Sequence, residues 1–235
     1  MSVTDDPRPA MFRLLVVPGV IVDRWSRTWS QRLPETVLEL VPAEAADAPG
    51  LMPSHADAGL VRLPVDRDAL HAIPLYTETT VVVMPRDHLL TAADELTTAE
   101  LAEIGEPLLR PLDEVLPRTE EPPAPEDRPA TTAAAVELVA AGAGLLVVPQ
   151  SLARLHHRRD LTFRVVTDAP VSSVALAWPR DGHTDLVEEM IGIVRGRTAN
   201  STRGRPQPQA APERPARKPA GGARRAGPHP RRRGR

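Results

Sequence analysis

The chain of 235 residues contains no cysteine. That excludes a disulfide framework, a thiolate zinc site and a cysteine nucleophile, and it fits a reducing compartment. It also has a single lysine, Lys218, against 28 arginines, a bias that GC-rich coding would produce. No uninterrupted apolar stretch approaches the roughly 18 to 20 residues needed to span a bilayer. The start, Met1 to Ala10, is acidic and broken by Pro7 and Pro9 where a signal peptide would be basic and then apolar. A soluble, cytoplasmic protein without membrane contact is expected. Enzymatic signatures are missing too. There is no Gly-x-Ser-x-Gly elbow and no phosphate loop, and Gly142-Ala-Gly144 follows a helical pattern where a dinucleotide fingerprint would follow a strand. His156, His157 and His183 lack ligand spacing for a metal, and no cofactor is expected.

Charge is divided unevenly. Residues 195–235 hold 13 of the 29 basic residues and one of the 31 acids, Glu213, a segment of +12; the remainder has 16 bases against 30 acids, or −14. From Ala199 onward no aliphatic residue larger than alanine and no aromatic ring occurs. Such a segment cannot bury enough apolar area to offset chain entropy, so residues 198–235 are expected to be a disordered tail. Its basic residues, Arg203, Arg205, Arg214, Arg217, Lys218, Arg224, Arg225, Arg231, Arg232, Arg233 and Arg235, suit non-specific contact with nucleic acid or with an acidic protein. They equally suit a solvated extension folded against the acidic body.

The body reads as α/β. Met11 to Val17 is a continuous apolar run closed by Pro18-Gly19, the pattern of a strand buried on both faces. Ile21, Trp25, Trp29 and Leu33 recur every four residues and predict an amphipathic helix ended by Pro34, followed by a strand from Glu35 to Pro42. Ala43 to Ser54, with Pro49, Gly50 and Pro53, is expected to be mostly loop. Strands are predicted at Ala58 to Leu63, Thr79 to Pro85, Leu145 to Val148, Leu161 to Val166 and Val174 to Trp178, and a short one at Glu106 to Leu109. Thr97-Thr-Ala-Glu100 matches a capping box; Thr131-Thr132 and Thr184 cap two further helices, and Gln150 to His156 forms a short one. Pro117 to Pro129, with five prolines, is expected to be a surface loop.

Four stretches in this order resemble the effector-binding domain of LysR-type transcriptional regulators. They are the opening strand and helix through Arg32-Leu33-Pro34; Ala56-Asp-Ala-Gly-Leu-Val-Arg-Leu-Pro64; Ile73-Pro-Leu-Tyr-Thr-Glu78 leading through Val81 to Pro85 into Asp87-His88; and Val139-Ala-Ala-Gly142 through Leu145-Leu-Val-Val-Pro149. The resemblance implies a two-lobed fold of the periplasmic-binding-protein type II kind, with a small-molecule effector held between the lobes. Residues 11–85 with 179–197 would form the first lobe and 86–178 the second, crossing near Met84-Pro85 and Trp178-Pro179. It also implies effector contacts at Pro18, Gly19 and Val20; at Arg62, Leu63 and Pro64; and at Thr131 and Thr132. Pro18-Gly19-Val20 lacks the hydroxyl residue often found there in the family, which argues against the usual carboxylate ligands.

Only ten residues precede Met11, so a winged helix-turn-helix of the family's kind is not expected, and a non-enzymatic sensing domain in transcriptional regulation is. The alternatives are a nucleic-acid scaffold held by its arginine tail around a vestigial cleft, or a transport solute-binding protein. Thr131 and Thr132 stand either for an anion site at a helix N-terminus or for an ordinary cap of about 1 kcal/mol. Arg62 stands for a carboxylate clamp or a surface ion pair. Trp25 and Trp29 stand for core, for a ligand flank, or for the face of a homodimer, since family dimers use the first helix.

Overall fold

A computed structural model describes residues 10–117 and 121–197, all within one compact unit spanning Met1–Asn200. The tail arginines and Lys218 lie outside the described residues, as does Arg118 to Glu120 of the proline-rich stretch. The first sheet has the order β2-β1-β3-β10-β4, built from β1 (Ala10–Val16), β2 (Thr36–Pro42), β3 (Ala58–Arg62), β4 (Leu70–Glu78) and β10 (Ser172–Pro179). β1 runs parallel to β2 and β3, and β10 antiparallel to β3 and β4. The second sheet has the order β6-β9-β5-β8-β7, from β5 (Thr80–Pro85), β6 (Glu95–Leu96), β7 (Leu108–Leu109), β8 (Leu145–Pro149) and β9 (Leu161–Val166).

Helices cover both faces of each sheet, which is why the strands read as unbroken apolar runs. On one face of the first sheet, Phe12, Leu14, Leu60 and Leu176 pack under α1 (Asp23–Arg32) and α6 (Asp185–Val194). On the other, Leu15, Val61 and Ala177 meet α2 (Ala48–His55). In the second sheet Val81, Val83, Leu146 and Val148 face α4 (Thr132–Ala140) and α5 (Gln150–Leu155), while Val82, Met84, Leu145 and Val147 face Leu101 of α3 (Thr98–Ile104). Trp29 is core: its ring stacks on Phe12 with centroids 4.7 Å apart, and its Nε1 donates to the Thr36 carbonyl oxygen.

Hydroxyl caps start the helices where the sequence marks them. Thr97 and Glu100 form a complete capping box on α3, and the Thr131 and Thr184 side chains accept from the amides of Ala134 and Val187.

Two expectations are corrected. Ala48–His55 is a helix, because Pro49 falls in its first turn, where a missing N–H costs no hydrogen bond, and Ala48 and Met52 are fully buried. The crossings between sheets do not lie at Met84-Pro85 and Trp178-Pro179. β5 pairs with β8 and β9 on its two sides, so the chain leaves the first sheet at Thr79; β10 pairs with β3 and β4, so it returns between Val166 and Ser172. The crossings are short: Thr79 alone separates β4 from β5, and Thr167 to Val171 separate β9 from β10.

Candidate functional site

Arg62 ends β3 where the two sheets meet, with its side chain 4 % exposed. Its Nη1 donates to Glu78 Oε2 at 2.6 Å and to Ser172 Oγ at 2.9 Å. Its Nη2 donates to the Pro18 carbonyl oxygen at 3.1 Å and to Ser151 Oγ at 3.2 Å. The buried Nε has no partner. Arg62 is thus a buried, charge-balanced latch and not a surface ion pair. Glu78 and Ser172 sit at the two strand ends flanking the crossings, and Ser151 belongs to α5 on the second sheet, so one guanidinium ties both lobes together.

Gly19 makes the latch geometrically possible. It sits at φ +85°, and a Cβ there would stand 2.6 Å from Ser151 Oγ.

This bridge divides the cleft. On one side a cavity of about 240 Å³ is lined by Pro18, Arg62, Thr131 and Thr132, with Glu44, Asp113 and His156. On the other an open compartment of about 700 Å³ is lined by Gly19, Val20, Trp25, Tyr76 and Glu78, with Arg24 and Arg154. Leu63 and Pro64 line neither; the Leu63 amide donates to Ser173 O, and Pro64 is exposed.

The α4 N-terminus in the smaller chamber is already occupied. Thr132, 2 % exposed, donates its amide to Asp113 Oδ2 and its hydroxyl to Asp113 Oδ1, both at 2.9 Å. Thr131 spends its hydroxyl on the Ala134 amide. The Thr132 amide and the helix dipole, which could help hold an external anion, hold the chain's own carboxylate. Asp113, Ser151, Arg24 and Arg154 did not emerge from the sequence as site residues, and Glu78 appeared only as the end of the Ile73 to Glu78 stretch. Asp113, Glu78 and Ser151 take their meaning from partners remote in the chain, and Arg24 and Arg154 from the cleft they line.

In the larger compartment, burial of the Tyr76 phenol, and then the charge of Glu78, push its pKa above the ordinary 10, outweighing the opposing effect of Arg62. A phenol is protonated at neutral pH at its ordinary value, so the shift leaves it a hydrogen-bond donor there. Among the described residues no group of three or more His, Asp or Glu side chains is placed to hold a metal ion, and no helix is long and apolar enough to cross a membrane.

Two helix-covered sheets, joined by two short crossings beside a divided cleft, define a two-lobed α/β domain of the periplasmic-binding-protein type II kind. The chain belongs to the LysR substrate binding domain family, whose model matches residues 15–199. It is similar to the HTH-type transcriptional regulator AlsR of Bacillus subtilis, 24 % identical over 180 residues covering 71 % of this chain and 59 % of that protein. It is also similar to a probable hydrogen peroxide-inducible genes activator of Mycobacterium leprae, 28 % identical over 167 residues covering 66 % and 54 %. The chain therefore spans little more than half the length of these curated relatives. Among solved structures, the OxyR regulatory domain from Pseudomonas aeruginosa superposes with a TM-score of 0.62 at 19 % identity, covering 79 % of this chain and 97 % of that one. The BenM effector binding domain with its effector benzoate gives 0.62 at 19 % identity, covering 80 % and 91 %.

Proposed function

We propose that this chain is a non-enzymatic, cytoplasmic sensing domain of transcriptional regulation that binds a small effector in the 240 Å³ chamber. The observation that carries this reading is convergence: Pro18 and Arg62 from the first lobe meet Thr131 and Thr132 from the second around one cavity. Its size, below the roughly 300 to 1,000 Å³ of drug-sized sites, suits a small metabolite. Membership of a family represented among transcriptional regulators supports the same role.

The chemistry of the lining narrows the ligand. The Arg62 charge is matched by Glu78, and the Thr132 amide and hydroxyl by Asp113, so a carboxylate coming to these donors would have to displace an internal one. The groups left facing the cavity are the carboxylates of Asp113 and Glu44 and the imidazole of His156, which suit a ligand rich in donors, such as an amine. A thiol-based response to oxidants has no residue to run on, because the chain has no cysteine.

A thermal-shift screen of the full chain against amines, amino acids, organic acids and nucleotides tests this. A ligand at a hundred times its dissociation constant adds about 2.7 kcal/mol, roughly 5 to 10 °C for a domain of this size. No shift across the panel would overturn it.

A second reading, a scaffold held on nucleic acid by the basic segment, is favoured by the charge division between +12 and −14. If that segment neutralises four phosphates, log K falls with log salt at a slope of roughly −3.6. A flat salt response removes it.

A further inference from the structure

We infer that the 700 Å³ compartment is a second binding site, for a phosphorylated ligand of nucleotide size carrying a planar ring, clamped by Arg24 from one lobe and Arg154 from the other. This goes beyond the reading above, since the compartment lies across the Arg62 bridge from the smaller chamber.

Three observations carry it. First, Arg24 on α1 and Arg154 on α5 are both exposed and line the same compartment, and neither side chain makes a hydrogen bond or ion pair with any described residue. Two guanidinium groups without an internal anion, brought to one cleft from opposite sheets, match the oxygens of a phosphate dianion. The acid that shares the lining, Glu78, is neutralised by Arg62 at 2.6 Å and does not oppose an anion.

Second, the walls between the arginines are aromatic and apolar. Trp25 is half-buried, Tyr76 is exposed along part of its ring, and Ile21 and Leu155 stand open at 76 % and 54 % exposure. A planar ring would bury this surface, and Gln150 and the protonated Tyr76 phenol offer polar contacts to its edge. Third, the volume is nearly three times that of the other chamber, too large for a small acid or amine to fill. A ligand touching both arginines would tie the lobes together on the side that the Arg62 latch leaves open.

The test uses the full chain with ADP, adenosine and inorganic phosphate as probes, read by isothermal titration calorimetry and by tryptophan emission at near-physiological salt. Trp29 and Trp178 are buried, so quenching on titration reports Trp25. ADP should bind and quench. Arg24→Gln and Arg154→Gln should each weaken it about tenfold or more, as expected for losing a charge-assisted contact. Adenosine and phosphate alone should each bind at least about tenfold more weakly than ADP, since each keeps one half of the contacts. Arg13→Gln, which removes the same charge from an exposed position of β1, should leave binding unchanged.

ADP affinity equal in wild type and the two cleft variants would assign binding to the basic segment and overturn the site. Adenosine binding as tightly as ADP would overturn the clamp, phosphate binding as tightly as ADP would overturn the ring pocket, and no ADP binding at millimolar concentration would overturn both. The variants leave the smaller chamber intact, so an effector found for it still raises their melting temperature and the two readings fail separately.

Discussion

Replacing Asp113 by alanine should empty the anion subsite at the start of α4 and make it accept a carboxylate from solution. Asp113 takes two hydrogen bonds from Thr132, one from the amide and one from the hydroxyl, each 2.9 Å long. Thr132 is 2 % exposed, so neither donor finds bulk water when the carboxylate goes. A hydrogen bond to a charged group contributes about 1.5 to 3 kcal/mol, and an anion at a helix N-terminus about 0.3 to 1 more. Asp113 itself is half-exposed, so water entering the chamber recovers part of this, and a net loss of about 2 to 3 kcal/mol is expected. For a chain of this size that lowers Tm by roughly 4 to 12 °C. The assay is a thermal melt of the full chain, repeated with rising formate or acetate and with formamide as the neutral control. The carboxylates should restore Tm in Asp113→Ala and leave the wild type unmoved. A variant melting within a degree of wild type, or acetate stabilising both proteins alike, would refute the occupied-subsite account.

Glu78→Gln leaves the Arg62 guanidinium buried without its counter-charge, and should cost about 3 kcal/mol or more by chemical denaturation. The Arg62→Met, Glu78→Leu double variant should recover most of that loss; a double variant no more stable than Glu78→Gln would show that the charge pair is not what the cost reflects. Gly19→Ala forces a side chain to φ +85° and against Ser151 Oγ, so a loss above the roughly 1 to 2 kcal/mol of the backbone conformation alone is expected. In a Ser151→Gly background most of the excess should vanish, leaving only the contact with Leu152 Cδ2 at 3.2 Å, and an undiminished excess would count against the close approach to Ser151. Asp168 is held below the usual carboxylate range by the Thr98 hydroxyl and then the Thr98 amide. Because its folded pKa is depressed, this contribution is fully present above the unfolded pKa of about 4 and is lost as pH falls through the folded value. Asp168→Asn should therefore flatten the fall of Tm below about pH 4, and an unchanged acid profile would reject it.

What the sequence made legible was local. Val81 to Met84 and Leu145 to Val148 announce strands because both of their faces are buried, and Thr97, Thr131 and Thr184 announce helix starts because a hydroxyl before an apolar pattern satisfies free amides. Proline misled where its position decided its cost. Pro49 falls in the first turn of α2 without penalty. The crossings near Met84-Pro85 and Trp178-Pro179 came from the family resemblance, whereas a crossing is set by which strands pair, here β5 with β8 and β9 and β10 with β3 and β4.

The site was legible as a set of positions and not as chemistry. Pro18, Arg62, Thr131 and Thr132 do share one chamber, yet the groups that set its charge come from 16, 19, 89 and 110 residues away: Glu78 and Ser172 on Arg62, Asp113 on Thr132, and Ser151 on Arg62. An arginine at a strand end and a hydroxyl pair at a helix start both read as anion sites, and both are anion sites that the chain fills for itself. The free energy an external carboxylate would gain there must first offset the contacts of the internal one, which are already charge-assisted and partly desolvated. On the proposed reading, an effector of the smaller chamber would be selected against carboxylates and towards donors that Asp113 and Glu44 can accept, while anions would be left to the cleft where Arg24 and Arg154 have no partner among the described residues.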